Sequence, residues 1–435
     1  MLPALPVELW ERILRQATYI DSEFDVEPLD ERRQLFPQGL DVNTREARRV
    51  ARKTRTAIVL VCTTWKLIGD RFLYETFDIV NDVRVARFAQ TLRANPALAR
   101  HVRRLSIFAT DRLPIDDPLD LCPNITHCFI YQRSWPAALG FSLPFRLQSH
   151  GLQKLQHISL NSIMPGVAHD CATVLSPIQS LVSLEICGGH PTYVNGVDYY
   201  LPFPHVKTLK LRVNPQWIPV LNQWHFPSLQ FFYAICSPAD GPDDSLSPFI
   251  QHNFVNLRGF ALGTLTSDAC FKITMTSVLE SCSSTITTLA LWLGSFGPWP
   301  PFDGKPFPRL QTVIYFAGDK PAEHPEALKH GIMSICNLNA LSHARTVLLH
   351  LGRKDFTRDS TISTGRLRRP VAPRLRESLL EANEYLMHKG VSLEGLLDDG
   401  KFGPITEVIR LVDIGNHPSL SLYTFTTADL DLGEA

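Results

Sequence analysis

Apolar residues recur along most of this chain in one short spacing, L-x-x-L-x-L, beginning near residue 100. Val102-Arg103-Arg104-Leu105-Ser106-Ile107 is the first unit, and Ile125-Thr126-His127-Cys128-Phe129-Ile130 is a degenerate second. Leu155 to Leu160, Leu181 to Ile186, Val206 to Leu211, Leu229 to Ala234, Leu257 to Leu262, Ile286 to Leu291 and Leu310 to Tyr315 repeat it. The fourth positions fall at 105, 128, 158, 184, 209, 232, 260, 289 and 313, in steps of 23 to 30 residues. Alternation over six residues predicts a short strand with one apolar edge. One such strand cannot bury that edge alone, so stacked copies are expected to form a parallel sheet with return segments covering its apolar side.

The steps resemble those of leucine-rich repeats, which run about 20–29 residues. The asparagine that ends the strand of a strict repeat is mostly absent, so an irregular array is expected. Several returns carry Pro and an aromatic residue just before a strand: Leu201-Pro202-Phe203-Pro204, His225-Phe226-Pro227 and Lys305-Pro306-Phe307-Pro308. The competing architecture is a doubly wound α/β sheet, which needs helices of ten or more residues between strands and a glycine-rich phosphate turn; neither stands out.

The first eighty residues read differently. Pro6 suits a first helical turn, and Leu9, Ile13, Leu14 and Ala17 follow at helical spacing, with Glu8, Glu11, Arg12 and Arg15 on the other side. A second helical pattern runs from Ala57 to Leu73 through Val61, Trp65, Ile68 and Phe72, and is nearly apolar around Ile58 to Cys62. A helix apolar on more than one side needs two partners. Periodicity alone fits a small helical cap on a globular domain equally well.

The motifs favour a more specific reading. Leu5-Pro6-Val7-Glu8-Leu9 with Ile13-Leu14, then Val61-Cys62-Thr63-Thr64-Trp65, then Phe72-Leu73-Tyr74-Glu75-Thr76-Phe77 stand in the order of an F-box. The stretch resembles the F-box-like proteins of mushroom-forming fungi. That resemblance implies docking on the Skp subunit of a ubiquitin ligase, with Leu5, Pro6, Leu9, Ile13, Val61, Cys62 and Trp65 carrying the contact. Here the halves are separated by a long insertion, residues 19–55, acidic first (Asp21, Glu23, Asp25, Glu27) and then basic (Arg45, Arg48, Arg49, Arg52, Lys53, Arg55). Long loop insertions cost little chain entropy. The basic part is expected to extend the following helix backward as a solvated face; a nuclear-import patch is the alternative.

The organisation expected is therefore α/β: a helical module over 1–80, an irregular leucine-rich-repeat-like solenoid with a parallel sheet over 81–350, and a loop, helix and cap over 351–435. Leu375 to His388 has helical periodicity and ends at Gly390, and Ile405 to Leu411 reads as a closing strand or helix. The sheet or its edge loops would hold a protein substrate, with Trp217, Trp224, Trp292 and Trp299 as aromatic anchors.

Composition narrows the alternatives. Lys+Arg and Asp+Glu are each 43 among 435 residues, a formal net charge of zero, which argues against a general nucleic-acid binder. No basic start with an apolar run suggests a signal peptide, and no apolar run reaches the ~18 residues of a membrane span, so no membrane partner is expected. The nine cysteines are scattered without a C-x-x-C pair, as expected of reduced thiols in the cytoplasm or nucleus. Cys62 is expected to be inert packing in an apolar helix. No phosphate-loop, dinucleotide, zincin or hydrolase motif is present. His324, His330, His343 and His350 lack partners at metal-ligand spacing. No catalytic residue, cofactor or metal is expected, and the chain reads as a non-catalytic adaptor whose alternative is a repeat scaffold not engaged with a ligase.

Overall fold

The strands of the array stand side by side in chain order, and this order decides the architecture. The structure is a computed structural model describing residues 5–18, 42–79, 82–109, 116–132, 150–163, 173–188, 201–213, 217–236, 247–264, 278, 280–293, 307–316, 325–335, 341–350, 373–396 and 402–406. The chain divides into two compact units, residues 1–31 with 46–256, and residues 32–45 with 257–435.

Helices α1 (Val7–Thr18), α2 (Val42–Val59, in the first unit from Glu46 on) and α3 (Thr63–Glu75) precede the sheet of the first unit. The sheet contains β1 (Thr76–Ile79), β2 (Arg104–Ala109), β3 (His127–Gln132), β4 (His157–Ile163), β5 (Ser183–Gly188), β7 (Thr208–Val213) and β9 (Phe231–Cys236), all parallel and in that order. Two short strands, β6 (Leu201–Pro202) and β8 (Trp224–His225), pair with each other on the return side. In the second unit, β10 (Gly259–Thr264), β11 (Thr288–Leu293), β12 (Thr312–Phe316), β13 (Thr346–His350) and β14 (Ser392–Leu396) are parallel, and β15 (Phe402–Pro404) runs antiparallel to β14. A doubly wound sheet would reverse its strand order; neither unit does.

The register aligns the repeat positions. Phe77, Leu105, Cys128, Ile158, Leu184, Leu209 and Phe232 face one another across the first sheet. Phe260, Leu289, Val313, Val347 and Leu393 do so across the second. From Leu105 onward every one of these side chains is buried. A second bond pattern fixes the register. The carbonyl of Arg103 accepts from the N–H groups of both Thr126 and His127, that of Thr126 from Gln156 and His157, and that of Gln156 from Val182 and Ser183. The fork recurs at Val182, Lys207, Arg258, Thr287 and Gln311.

The Phe-Pro corners are tight turns. The carbonyls of Phe203, Phe226 and Phe307 accept from the N–H groups of Val206, Leu229 and Leu310, 3.2–3.4 Å away. Proline after each Phe supplies the fixed φ such a turn needs, and each ring is buried in the core. In the second unit the helix Pro373–His388 ends as its periodicity predicts. Gly390 has φ +72°, Val391 donates to the carbonyl of Leu386 at 2.9 Å and Gly390 to that of Met387 at 2.9 Å, the arrangement that satisfies a helix's last carbonyls.

Three expectations need correction. The sheet begins at Thr76, inside the stretch assigned to the helical module, because α3 runs directly into β1. The helical pattern from Ala57 to Leu73 is two helices broken at Leu60–Cys62. Residues 42–59 form a helix of their own, not a backward extension of the Trp65 helix. The earlier part of the insertion, the basic loop at 355–372, residues 407–411 of the expected closing element and the tail after Asn416 lie outside the described residues.

Candidate docking surface and a buried polar row

The helical module has its own small core. Leu14 from α1, Ile58 from α2, and Ile68 and Phe72 from α3 are buried together, with Trp10 and Trp65 packed against them. The two indoles lie 5.0 Å apart at a tilt of 57°. Gly69 lets α2 and α3 approach closely: a Cβ there would lie 2.8 Å from Ile58 Cγ2 and 2.9 Å from Val59 Cγ1. Arg71 Nη1 donates to Glu11 Oε1 at 2.9 Å and its guanidinium sits 4.7 Å from the Phe72 ring centre, joining α3 to α1.

Arg55 is buried, although the sequence places it in a solvated basic cluster. Its Nη2 donates to the carbonyl of Thr18 at 3.0 Å and its Nη1 contacts Thr76 Oγ1. The signal that distinguishes it is phase. Arg55 lies one turn from Ala51 and three residues from Ile58, the buried side of α2.

The other apolar residues of the module point outward. Leu9 is 44% and Ile13 47% exposed on α1, and Leu60 is 78%, Val61 60% and Leu67 80% exposed on the α2–α3 turn and α3. Leu5 and Pro6 are exposed as well. The Pro6 carbonyl accepts from the N–H groups of Leu9 and Trp10 at 3.1 and 3.2 Å, which starts α1. Cys62 is not inert packing: it is exposed and caps α3, its Sγ accepting from the Trp65 N–H at 3.5 Å. Of the seven residues expected to carry the docking contact, Leu5, Pro6, Leu9, Ile13, Val61 and Cys62 are therefore exposed, and Trp65 is half-buried.

The tryptophans expected as substrate anchors divide otherwise. Trp217 and Trp224 are buried and cannot be surface anchors. Trp224 packs 5.5 Å from Phe203 and 6.3 Å from Phe226, in an aromatic core that continues through Phe249, Phe232 and Phe254. The return segments have to cover the leucine side of the sheet, and these rings supply the area. Asn253 holds them in place: its Oδ1 accepts from the Phe226 N–H at 2.6 Å, and its Nδ2 donates to the carbonyls of Trp224 and Phe249 at 3.2 and 2.9 Å. Trp292 lies in β11 opposite Gly263, its side chain outside the description, and Trp299 lies outside the described residues.

The opposite side of the first sheet, expected as an open substrate surface, is a buried polar row. Arg104, His127, His157 and Ser183 align across β2 to β5, and Ser159, Glu185, Lys210 and Tyr233 across β4 to β9. All are buried. The Arg104 guanidinium lies 4.0 Å from the Phe129 ring centre, and His157 Nδ1 shares a hydrogen bond with Ser183 Oγ at 2.9 Å. Glu185 Oε2, His157 Nε2 and the Tyr233 hydroxyl have no hydrogen-bond partner among the described residues.

Burial shapes the charges of this row. It pushes the Glu185 carboxyl up to about 6, against the pull of Lys210 and of the nearby Ser159 hydroxyl. It lowers Lys210 to about 8, against the attraction of Glu185. Burial, then Arg104 and Arg103, lowers His127 to about 3; His157 is lowered by burial first and then by His127, Lys210 and Arg104, so both imidazoles are neutral at pH 7. Among the described residues no group of three or more His, Cys, Asp and Glu side chains is placed to hold a metal ion, and no helix is long and apolar enough to cross a membrane.

No family model matches this chain, and no curated protein matches it either. Among solved structures it is similar to the crystal structure of a Bacteroides fragilis protein determined as a structural-genomics target, at 11% identity over 70% of this chain and 79% of that one, with a TM-score of 0.33.

Proposed function

We propose that this chain is the substrate-recognition adaptor of an SCF-type ubiquitin ligase. In this reading α1, the α2–α3 turn and α3 dock on the Skp subunit, which links the chain to the cullin complex. The strand array then presents a protein substrate. One observation carries the reading. The module buries Leu14, Ile58, Ile68 and Phe72 as its own core, yet leaves Leu9, Ile13, Leu60, Val61 and Leu67 in solvent. Apolar side chains surplus to a module's own core are what a protein partner covers.

The motif residues then take separate roles. Leu5, Leu9, Ile13 and Val61 make the contact, Pro6 and Cys62 start the helices that display it, and Trp65 holds α1 against α3 while offering its free edge. Substrate contacts belong to the loops bordering the strands, since the polar row of the first sheet is enclosed.

The test is co-expression with the Skp subunit, comparing the native chain with Leu9→Glu plus Val61→Glu. Both positions are exposed, so the variant keeps the fold. The reading expects co-purification of the native chain and its loss in the variant. A folded native chain that fails to co-purify removes the reading and leaves a repeat-based protein-binding scaffold.

A further inference from the structure

The helical module and the strand array meet at one residue. α3 ends at Glu75, and Thr76, its C-cap, is already extended at φ −128° and ψ 125° and opens β1. No linker separates the helices from the strands. Such a junction is where a hinge forms, because an element-terminal residue can absorb a large change in φ and ψ. The strand side of this one is fixed by the sheet. The Arg103 N–H donates to the Glu75 carbonyl at 3.0 Å, and Thr76 pairs with Arg104 in the ladder. The angle of the helices to that strand needs a separate hold.

Arg55 of α2 supplies it. The side chain is buried, its Nη1 meets Thr76 Oγ1 at the joint, and its Nη2 donates to the carbonyl of Thr18 at the end of α1, 3.0 Å away. A guanidinium is a rigid planar fork, so both prongs together set the joint against two helices at once. The other ion pair at the joint is a weaker hold. Arg103 Nη1 lies 3.4 Å from Glu75 Oε1, with 43% of the arginine side chain in solvent, and exposed pairs contribute little. We infer that Thr76 is the pivot between the helical module and the strands of the first unit, and that Arg55 is a positioning residue that locks this pivot at one angle. Its use rests on the docking reading: a chain held by α1 and the α2–α3 turn would then present the first unit's loops to the ligase in one direction.

The experiment places spin labels, carried by non-natural amino acids, at Leu60 and His205 of the full chain, both exposed. Pulsed dipolar spectroscopy reads the distribution of distances between them. The native chain should give one narrow distance. Arg55→Ala should widen the distribution roughly twofold, with Arg55→Lys in between. Arg103→Ala should stay as narrow as the native chain. Thr76→Val removes the contact at the joint alone and keeps a β-branched residue suited to a strand. It should widen the distribution too, and it decides the matter if Arg55→Ala does not fold. Circular dichroism checks the fold of each variant, since lower stability alone leaves the width of the folded population unchanged. A folded Arg55→Ala or Thr76→Val chain with the native distribution overturns the inference, and so does a broad distribution in the native chain. The unlabelled variants are also co-expressed with the Skp subunit. Co-purification should persist, because Leu9, Ile13 and Val61 are untouched. A folded native chain that fails to co-purify removes the docking reading, while the distances still judge the lock.

Discussion

Arg55 Nη2 donates to the carbonyl oxygen of Thr18 across 3.0 Å, and these two residues bracket the insertion that separates α1 from α3. The bond closes the mouth of the insertion. Arg55 also reaches Thr76 at the start of β1, so one buried guanidinium joins α1, α2 and the first strand.

Arg55→Ala removes both contacts and leaves the Thr18 carbonyl without its donor. A charged hydrogen bond of this kind contributes about 2 kcal/mol, and thermal unfolding should show a loss of that order. Arg55→Lys should recover less than half, because a single ammonium cannot replace the two-pronged contact.

The contrast between Leu9 and Trp65 separates docking from folding. Leu9→Glu changes an exposed position and should shift stability by no more than about 0.5 kcal/mol. Trp65→Ala removes the ring packed on Trp10 and the Ile68–Phe72 core, and should cost about 2 kcal/mol. Chemical denaturation of both variants, scored beside Skp-subunit binding, checks this. Binding lost only in Trp65→Ala, in step with unfolding, would contradict the assignment of roles.

Asn253 offers a test in the core of the first unit. Asn253→Leu leaves the Phe226 N–H and the Trp224 carbonyl buried and unpaired, at about 1–3 kcal/mol for each group. The expected result is a lower unfolding midpoint and faster hydrogen exchange at Phe226, with the α1–α3 module unchanged.

The buried pair Glu185 and Lys210 predicts a pH profile. Glu185 titrates near 6 in the fold against an ordinary 4.5, so the folded state holds its proton more tightly. This contribution to stability falls as pH rises from 4.5 to 6, by on the order of 2 kcal/mol, and it opposes the larger rise over the same range from His127 and His157, whose protons the unfolded state binds more tightly. Lys210 is lowered to about 8 from 10.5, so the unfolded state binds its proton more tightly. Stability should rise again between pH 8 and 10.5. In a denaturant-midpoint profile Glu185→Gln should steepen the rise between pH 4.5 and 6, and Lys210→Met should abolish the rise above pH 8.

The strands were legible because periodicity two is a property of neighbouring residues. The nine fourth positions from Leu105 to Val313 all fall on buried rows in register within their units. The Phe-Pro corners were legible for the same local reason, since proline dictates the turn. Burial was not. Trp217 and Trp224 look like surface anchors in a list of residues, and only the return of the chain over the sheet puts them inside. Glu185 and Lys210 sit 25 residues apart, and nothing local marks them as strand neighbours. Arg55 was hidden in a run of basic residues, where its phase relative to Ile58 mattered more than its charge. The start of β1 at Thr76 was missed because no full repeat precedes it.

The forked carbonyls have a consequence for how this scaffold tolerates change. At each fork, beside the strand ladder, one peptide oxygen holds two amides of the next coil, and nothing in that clasp depends on how far the chain wanders before coming back. The detour is free to lengthen or shorten while the rungs stay level. New side chains for gripping a guest can be tried on those detours without rebuilding the ladder beneath them.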